Sequence, residues 1–367
     1  MMTHIRMPKP SYLLSKLSIH TKLDAALYQV LAHLVELYQL GEIQTCHRAP
    51  RSNSLNYVIT TSQGKFIFRQ HSLSEETVAH EHQVLSYLQR RGFSAPRMLS
   101  NQAGQAWVTV DGTLYSVYEF VEGYFPTDFI WWPSTRRDII AQAGRTLGEY
   151  HRAVVGLVPT FYKWDGYRPT EHKRWREGDL YRHALADVRS LLRKPIATSP
   201  IDDFARSHID AIERMLDLES AVEGCSDLSK LVIHGDYAPW NVLFRFGSPP
   251  FVLDFNAARL DLKIFDVILA TFFFAWRGDC LDQGRAIAFQ TGYCQTGQLR
   301  EIDVKLASEV FQWIMARSLA ERLRTHYLEH RFLIKDPAGL ERFYKMCVFA
   351  KQQPQQLIAG LKGIVTK

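Results

Sequence analysis

The sequence has few cysteines, no long apolar run and no strong excess of one charge. Its five cysteines are odd in number and lie far apart, so no pair has the spacing of a zinc or redox motif. We expect free thiols in the reducing cytoplasm. The longest apolar run, Val267 to Trp276, is much shorter than a membrane span, and the apolar stretch at residues 12–14 is too short for a secretory signal. The composition predicts a cytoplasmic protein that does not engage a membrane.

Internal repeats and low-complexity tracts are also absent from the sequence. The formal net charge is +6 and the pI is about 9.0, but the basic residues are scattered in doublets such as Arg90-Arg91 and Arg136-Arg137. Doublets among acidic residues are typical of solvated helix faces, so nucleic acid is not an expected partner. With 367 residues, of which 46% are hydrophobic, the chain exceeds the usual single-core domain, and two lobes are expected.

One stretch of the chain combines residue types that carry chemistry. His234, Asp236 and Asn241 reproduce the spacing of the kinase catalytic loop, H-R-D-x-x-x-x-N, with glycine in place of arginine. A second apolar run ends in Asp254-Phe255, which matches the first two letters of D-F-G. In phosphoryl transfer one carboxylate takes up the proton of the attacking hydroxyl, and an amide and a second carboxylate suit Mg²⁺. The pattern therefore predicts Asp236 as the catalytic base and Asn241 and Asp254 as metal ligands.

The run from His234 to Leu243, followed by Leu253-Asp254-Phe255 and Asp266, resembles the aminoglycoside phosphotransferase and choline kinase superfamily. It is most similar to the spore-coat CotS-like and type II homoserine-kinase-like branch. The resemblance implies an α+β fold of the bilobal protein-kinase type, with an antiparallel sheet in a small N-lobe and a large, mostly helical C-lobe. It implies an N-terminal helix and nucleotide-binding lobe at residues 1–118, a hinge at 119–123, and a lobe with the catalytic loop and substrate pocket at 124–367.

Residue periodicity predicts the secondary structure of both regions. Helices are expected after Asp266 and near residues 22–40, 74–91, 138–154, 202–223, 301–325 and 337–361. One hairpin is expected to join residues 57–59 and 65–68 through a turn at 60–64, and a second to turn at Asp111-Gly112. The preceding segment, 48–56, is expected to be a loop over the nucleotide phosphates. It contains no glycine, so the G-x-G-x-x-G form is absent, and Ser54 is its candidate phosphate contact.

Further nucleotide contacts follow from the resemblance alone. The second strand of the first hairpin should present a basic residue to the α- and β-phosphates, and Arg69 stands where lysine is usual. Lys65, on the same face of that strand, is a rival for the role. Glu81 of the next helix is the candidate partner of Arg69. The hinge that hydrogen-bonds the adenine edge through its backbone would comprise Glu119, Phe120 and Val121.

Several residues near the catalytic loop are expected to support it. By resemblance, Asp266 braces the loop through hydrogen bonds to its backbone, and His234 also acts as a brace. For His151 we favour packing beneath the loop over a role as a catalytic base. The residues that flank the centre, and are candidates to touch the acceptor, are Tyr237, Trp240 and Arg259.

These features predict in-line transfer of the γ-phosphate of ATP, with Mg²⁺, to a hydroxyl group of a small molecule. Aminosugar, amino alcohol, homoserine-like and antibiotic acceptors all stay open, as do GTP as the donor and the oligomeric state. A catalytically silent, kinase-fold binding or structural protein of the spore-coat type is the alternative, favoured by the glycine-free loop and Arg69. A protein kinase is disfavoured because only eleven residues separate Asp254 from Asp266, with no Ala-Pro-Glu segment.

Overall fold

The computed structural model describes residues 25–49, 55–126, 136–161, 178–193, 199–245, 247–329 and 334–361. The chain divides into two compact units. The first comprises the described residues of Met1–Val78 together with Arg97–Val121, and the second comprises those of Ala79–Pro96 and Glu122–Lys367. The predicted α+β class is confirmed, because the first unit is built on an antiparallel sheet and the second is mainly helical.

Among its described residues, the first unit contains a helix and a five-stranded sheet. Helix α1 is Ala25–Leu37, and the strands are β1 (Ile43–Arg48), β2 (Leu55–Thr61), β3 (Gly64–His71), β4 (Trp107–Val110) and β5 (Thr113–Glu119). Their order in the sheet is β1-β2-β3-β5-β4, and all neighbours are antiparallel. Apolar residues of α1 pack with Phe68 and Val117 of the sheet in a buried cluster. Burial of one apolar helix face against a sheet is what stabilises a unit of this size.

Both predicted hairpins are confirmed, and their turns are tight. Asp111 and Gly112 have φ values of 48° and 75°, which a two-residue turn with both central residues at positive φ requires. The first hairpin is longer than expected, because Thr60 and Thr61 continue β2 and only two residues form the turn. β-branched threonines favour the extended ladder, so their polarity was a misleading signal of a turn.

The predicted loop at residues 48–56 is wrong at both of its ends. Arg48 is the last residue of β1, and Leu55 and Asn56 begin β2. The β1 sequence, Ile-Gln-Thr-Cys-His-Arg, lacks a clean apolar alternation because it is an edge strand that pairs only with β2. The candidate phosphate contact, Ser54, lies outside the described residues.

Helix α2 (Glu75–Arg90) begins in the first unit and continues into the second, which starts at Ala79. Ser74 caps its first turn, where the Thr77 amide donates to the Ser74 hydroxyl at 3.4 Å. The chain leaves the helix at Gly92, whose φ is 70°. The predicted helix at residues 74–91 is confirmed.

The second unit is dominated by helices. They are α3 (Arg136–Ala153), α4 (Gly178–Leu192), α5 (Pro200–Leu216), α6 (Glu219–Glu223), α7 (Lys263–Ala275), α8 (Gln283–Cys294), α9 (Glu301–Lys305), α10 (Ala307–Arg324), α11 (Ala338–Gln352) and α12 (Pro354–Leu357). Short elements Phe255–Ala257 and Thr325–Glu329 are a 3₁₀ turn and a π-helical turn. Except for α4 and α8, these helices were expected from periodicity. Within the part of the chain that the structure describes, no helix is long and apolar enough to cross a bilayer.

Helices α3 and α8 approach each other unusually closely. A Cβ on Gly144 of α3 would lie 1.9 Å from the Phe289 carbonyl oxygen, and one on Gly292 of α8 would lie 1.9 Å from the Ala141 carbonyl oxygen. Only glycine permits such backbone contact. The contact holds together the two helices that supply His151 and Tyr293, whose side chains meet beneath the loops described below.

The described residues of the second unit also form three pairs of short strands. Strand β6 (Lys230–Ile233) pairs with β9 (Arg259–Leu262), β7 (Val242–Arg245) pairs with β8 (Ser248–Val252), and β10 (Trp276–Arg277) pairs with β11 (Cys280–Leu281). Residues 234–241 run from the end of β6 to the start of β7, and residues 253–258 run from the end of β8 to the start of β9. Since β6 pairs with β9 and β7 with β8, the two loops join the same two ladders and are brought side by side.

Candidate active site

Asp236 and Asn241 lie in contact at the two ends of the first loop. The Asn241 side-chain amide donates to the Asp236 carbonyl oxygen at 2.8 Å and to its carboxylate Oδ2 at 3.0 Å. The backbone amide of Asn241 closes a turn onto the Ala238 carbonyl at 2.8 Å. We call residues 234–241 the catalytic loop from here on. Its spacing fixes the carboxylate against the amide.

The second loop is bonded to the catalytic loop by two hydrogen bonds. The imidazole Nε2 of His234 donates to the Leu253 carbonyl at 2.9 Å, and the Leu253 amide donates to the Asn241 carbonyl at 2.8 Å. The other imidazole nitrogen of His234 accepts from the Asp236 amide at 3.3 Å. Burial lowers the pKa of His234, so the ring is neutral and acts as a brace. These bonds fix the position of the loop that carries Asp254.

Asp266, in the first turn of α7, holds the start of the catalytic loop. Its carboxylate accepts from the backbone amides of His234 at 2.9 Å and Gly235 at 3.0 Å. It also accepts from His151 at 3.1 Å, and the other ring nitrogen of His151 accepts from the Tyr293 hydroxyl at 3.0 Å. The side chains of Asp266, His151, Tyr293 and His234 are all buried, so this network supports the loop and does not react.

The electrostatics of this network agree with its supporting role. Burial alone would raise the pKa of Asp266, but the hydrogen bonds that it accepts from the His151 side chain and the His234 backbone amide hold its pKa below the usual range. Burial lowers the pKa of His151. Asp266 is therefore an anion that accepts hydrogen bonds, and neutral His151 donates one of them.

Asp236 has a different environment from Asp266. Burial, and then the negative charge of Asp254, raise the pKa of Asp236 to about 6, against the opposing effect of Asn241 and Trp240. A raised pKa brings a carboxylate closer to the range in which it can accept a proton at neutral pH. Perturbed carboxylates of this kind cluster at functional sites.

Asp254 has a backbone conformation that ordinary residues avoid. Its φ and ψ are 62° and 69°, in the left-handed region, although it is not glycine. Such conformations cost about 1 kcal/mol or more and persist where the surrounding structure imposes them. Here Phe255 behind it is fully buried and packs on His234, with ring centroids 4.9 Å apart. The strained backbone places the Asp254 carboxylate close enough to Asp236 to raise its pKa.

The side chains present fit a magnesium ion. Asn241 uses its amide nitrogen for Asp236, and among the described residues none donates a hydrogen bond to its Oδ1. Oδ1 and the Asp254 carboxylate are the hard oxygen donors that Mg²⁺ takes. Within the described ranges no three His, Cys, Asp or Glu side chains are grouped as a metal site. This chain would supply few ligands, and nucleotide phosphates and water would supply the others.

The predicted nucleotide contacts lie on β3 and at the end of β5. The Arg69 guanidinium donates to the Asn56 side chain at 3.2 Å and lies 5.5 Å from the ring centre of Tyr118. The ammonium of Lys65 lies 5.5 Å from the ring centre of Phe120, the residue that follows β5. Glu81 is almost fully buried in α2. Arg69 and Glu81 belong to different units, and their pairing stays a prediction.

The residues predicted as the hinge end the first unit. Glu119 is the last residue of β5, and its carboxylate pairs with Arg97. The Phe120 amide donates to the Lys65 carbonyl at 3.3 Å, and Val121 is the last residue of the unit. Their backbone contact with adenine stays a prediction.

Two of the residues expected to flank the acceptor have structural contacts instead. Tyr237 is fully buried, and its hydroxyl donates to the Ala143 carbonyl of α3 at 2.8 Å. Arg259 is buried, pairs with Asp261 at 2.9 Å and donates to the Ala257 carbonyl at 3.3 Å. That expectation was wrong for both, because their polar ends are needed inside the fold. Trp240, 45% exposed, is the one of the three that can meet a ligand.

Sequence reasoning missed Arg322, in the last turn of α10. The charge of Asp236 acts on the Arg322 guanidinium, although 85 positions of the sequence lie between them. Nothing in the local sequence distinguishes Arg322 from Arg324, its neighbour at the end of the same helix. Only the packing of α10 against the rest of the unit could identify it.

Several known proteins are similar to this chain in sequence or in fold. A homoserine kinase of Methylobacillus glycogenes is 26% identical over 324 residues, which cover 86% of this chain and 92% of that protein. An aminoglycoside phosphotransferase from Alicyclobacillus acidocaldarius subsp. acidocaldarius has a TM-score of 0.59 at 20% identity, covering 90% of this chain and 95% of that chain. A spectinomycin phosphotransferase in complex with ADP and spectinomycin has a TM-score of 0.62 at 14% identity, covering 89% of this chain and 98% of that chain.

At such identities the two solved structures show a shared fold, and they confirm the kinase-like architecture expected from the motifs. The model of the phosphotransferase enzyme family matches residues 46–300, which include the catalytic loop, Asp254 and Asp266. This match covers more than half of the sequence and agrees with the resemblance inferred from the motifs. The chain belongs to the phosphotransferase enzyme family.

Proposed function

We propose that the protein transfers the γ-phosphate of ATP to a hydroxyl group of a small molecule in a Mg²⁺-dependent reaction. The observation that carries the proposal is the placement of Asp236 and Asn241 in direct contact, beside Asp254 on a second loop bonded to the first. Phosphoryl transfer asks a protein mainly for positioning and charge stabilisation, which this rigid pair of loops supplies.

Asp236 acts as the catalytic base in this proposal. The acceptor oxygen forms a bond to the γ-phosphorus while the bond from that phosphorus to the β,γ-bridging oxygen breaks, and ADP leaves. The hydroxyl proton passes to the Asp236 carboxylate, whose pKa of about 6 suits it to accept a proton near neutral pH. Mg²⁺, when bound by Asn241 and Asp254, would offset the negative charge of the phosphates.

The first unit would bind the nucleotide. Arg69 is our candidate for the α- and β-phosphates, with Lys65 as the rival, and the backbone of residues 119–121 for the adenine edge. An arginine can bind phosphate with two parallel hydrogen bonds, so its presence in place of lysine is compatible with the role.

The acceptor is a small hydroxylated compound. The relative from Methylobacillus glycogenes is a homoserine kinase, and the solved structures of similar fold include an aminopropanol kinase and a choline kinase. These acceptors share a primary or secondary hydroxyl and a nitrogen a few bonds away. Amino alcohols and hydroxy amino acids are therefore the first compounds to test, ahead of aminosugars.

The test is Mg²⁺-dependent ADP release from ATP with a panel of amino alcohols, hydroxy amino acids and aminosugars. Asp236→Ala should lower kcat by at least about 1,000-fold and leave ATP affinity nearly unchanged, because the residue acts on the acceptor hydroxyl. Asp203→Asn, an exposed change on α5, is the control and should retain wild-type turnover. Equal turnover in the Asp236→Ala and wild-type proteins contradicts the proposal. No turnover together with no nucleotide binding would support the silent binding protein instead.

A further inference from the structure

Three aromatic side chains lead from the catalytic loop to the end of α10. Trp240 lies 5.1 Å from Phe273 of α7, and Phe273 lies 6.2 Å from Phe343 of α11, between ring centroids. The guanidinium carbon of Arg322 lies 5.6 Å from the centre of the Phe343 ring. We call Trp240, Phe273 and Phe343 the aromatic track. It begins at Trp240, four residues after Asp236 in the sequence, and ends at the guanidinium of Arg322.

The rings of the aromatic track are more exposed than the phenylalanines on either side of Phe273. Phe272 and Phe274, on either side of Phe273, are 0% and 4% exposed and belong to the core. Phe273 and Phe343 are only partly buried, and Trp240 is 45% exposed. A partly exposed aromatic surface beside a catalytic carboxylate is the usual lining of a small-molecule site.

Arg322 is the polar group at the far end of this surface. Its side chain is exposed to water, although desolvation by the surrounding protein lowers its pKa. The Asp236 carboxylate is the charge that acts on it against this effect. Arg322 therefore lies within electrostatic range of Asp236, at the far end of the aromatic track.

The guanidinium of Arg322 is not committed to a structural partner. Among the residues that the structure describes, its contact is the Phe343 ring, with no hydrogen bond or ion pair. Arg324, two residues further on, is by contrast tied to Glu321 at 2.7 Å and also to Glu329. A stacked guanidinium keeps its donor edge available, and that edge matches a carboxylate with two parallel hydrogen bonds.

We propose that Arg322 binds a carboxylate of the phosphate acceptor, whose carbon skeleton lies on the aromatic track and whose hydroxyl reaches Asp236. This inference rests on the proposed kinase function and narrows its acceptor to hydroxy acids, above all hydroxy amino acids. An acceptor whose only charge is an ammonium would gain nothing from Arg322. The opposite charges of Arg322 and Asp236 orient the substrate, because the acceptor carboxylate is attracted to one and repelled by the other.

The experiment uses pairs of acceptors that differ only in the carboxylate. L-homoserine is paired with 3-aminopropan-1-ol, L-serine with ethanolamine, and L-threonine with 1-aminopropan-2-ol, and ADP release is measured for each. For the wild-type protein the carboxylated member of the preferred pair should have a kcat/KM at least about tenfold higher. Charged hydrogen bonds of this kind are worth about 10- to 100-fold in binding.

Arg322→Gln should raise the KM of the carboxylated acceptor about 10- to 100-fold and change its kcat much less. The KM of ATP and the kinetics of the decarboxylated partner should stay within about twofold of wild type, since neither uses the guanidinium. Arg322→Lys should restore part of the affinity, because an ammonium keeps the charge but not the paired donors. Arg214→Gln, a change of an exposed arginine on α5, is the control and should behave as wild type.

The outcomes separate this inference from the proposed function. A wild-type protein that phosphorylates only acceptors without a carboxylate overturns the inference and leaves the kinase function standing. The same holds if Arg322→Gln, folded as wild type by thermal unfolding, keeps the wild-type KM for the carboxylated acceptor. If the wild-type protein releases ADP with no compound of either kind, the kinase function itself fails, and the inference fails with it.

Discussion

The side-chain amide of Asn241 donates to both the carbonyl and the carboxylate of Asp236, at 2.8 and 3.0 Å. One residue thus fixes the rotamer of the base and closes the loop that carries it. Its Oδ1 accepts no hydrogen bond from any described residue, so this oxygen is available to bind a metal ion. In the proposed reaction Asn241 would therefore have two functions, support of Asp236 and supply of a metal ligand, which a substitution can separate.

We expect Asn241→Ala to lower kcat by at least about 100-fold and to raise the Mg²⁺ concentration that gives half-maximal rate. The alanine removes both the bonds to Asp236 and the Oδ1 donor. Initial rates over a Mg²⁺ titration at saturating ATP and acceptor measure both quantities. An unchanged Mg²⁺ requirement in a slow variant would limit Asn241 to support of Asp236.

The charge of Asp236 should make the metal-free protein less stable at neutral pH. Burial and the Asp254 charge raise its pKa to about 6, above the ordinary 3.8, so the folded state binds this proton more tightly than the unfolded chain. The protonated Asp236 carboxyl makes its full favourable contribution to the free energy of unfolding below about pH 4. This contribution is lost as the pH rises through about 6. At pH 8 the ionised Asp236 therefore leaves the free energy of unfolding about 2–3 kcal/mol lower than at pH 4, since each unit of pKa is worth about 1.4 kcal/mol.

Asp236→Asn should consequently stabilise the protein by about 1–3 kcal/mol at pH 8 while abolishing turnover. The gain should shrink towards zero at pH 4, where the wild-type carboxyl is protonated. Urea unfolding in the presence of a chelator, at both pH values, measures the difference. A gain that is the same at pH 4 and pH 8 would show that the stabilisation has a cause other than the buried charge.

The sequence was most informative where function depends on residues close together in the chain. Asp236 and Asn241 were assigned correctly to one loop because a fixed spacing of five residues joins them, and the strands on both sides are short apolar runs. The opposite case is Arg322, whose electrostatic interaction with Asp236 depends on how α10 packs, which no local pattern encodes. Arg259 and Tyr237 were misjudged for the same reason, because adjacency in sequence does not tell which way a side chain points.

Asp266 should be essential to the geometry of the catalytic loop. Asp266→Asn keeps the size of the side chain, but its amide nitrogen would face one of the donors that the carboxylate now accepts. We expect a loss of about 2–4 kcal/mol in the free energy of unfolding, because a buried donor is left without a partner. We also expect kcat to fall by at least about tenfold through displacement of Asp236.

Asp303 provides the matched control for this prediction. It is also fully buried and accepts from the Ser229 amide at 2.8 Å and the Arg300 amide at 2.9 Å, but it supports α9 and not the catalytic loop. Asp303→Asn should lose a similar free energy of unfolding and keep its kcat under conditions where it is folded. Urea unfolding and steady-state kinetics of the two variants, compared side by side, test the assignment of Asp266 as a positioning residue.

Gly235, which stands where the kinase loop has arginine, has a conformation and surroundings that exclude a side chain. Its φ is +78°, and a Cβ there would lie 2.6 Å from the Ala257 carbonyl oxygen and 2.7 Å from the Arg259 guanidinium. Gly104 has nearly the same φ, +76°, with no atom within 4 Å of a Cβ.

Gly104→Ala therefore measures the backbone strain alone, about 1 kcal/mol. Gly235→Ala should cost at least about 2 kcal/mol more, because the Ala257 carbonyl belongs to the second loop and has to move. That movement should also displace Asp254 and lower kcat. Urea unfolding of both variants, with kinetics at saturating Mg²⁺, separates strain from crowding, and equal losses in the two variants would mean that the two loops are not in close contact.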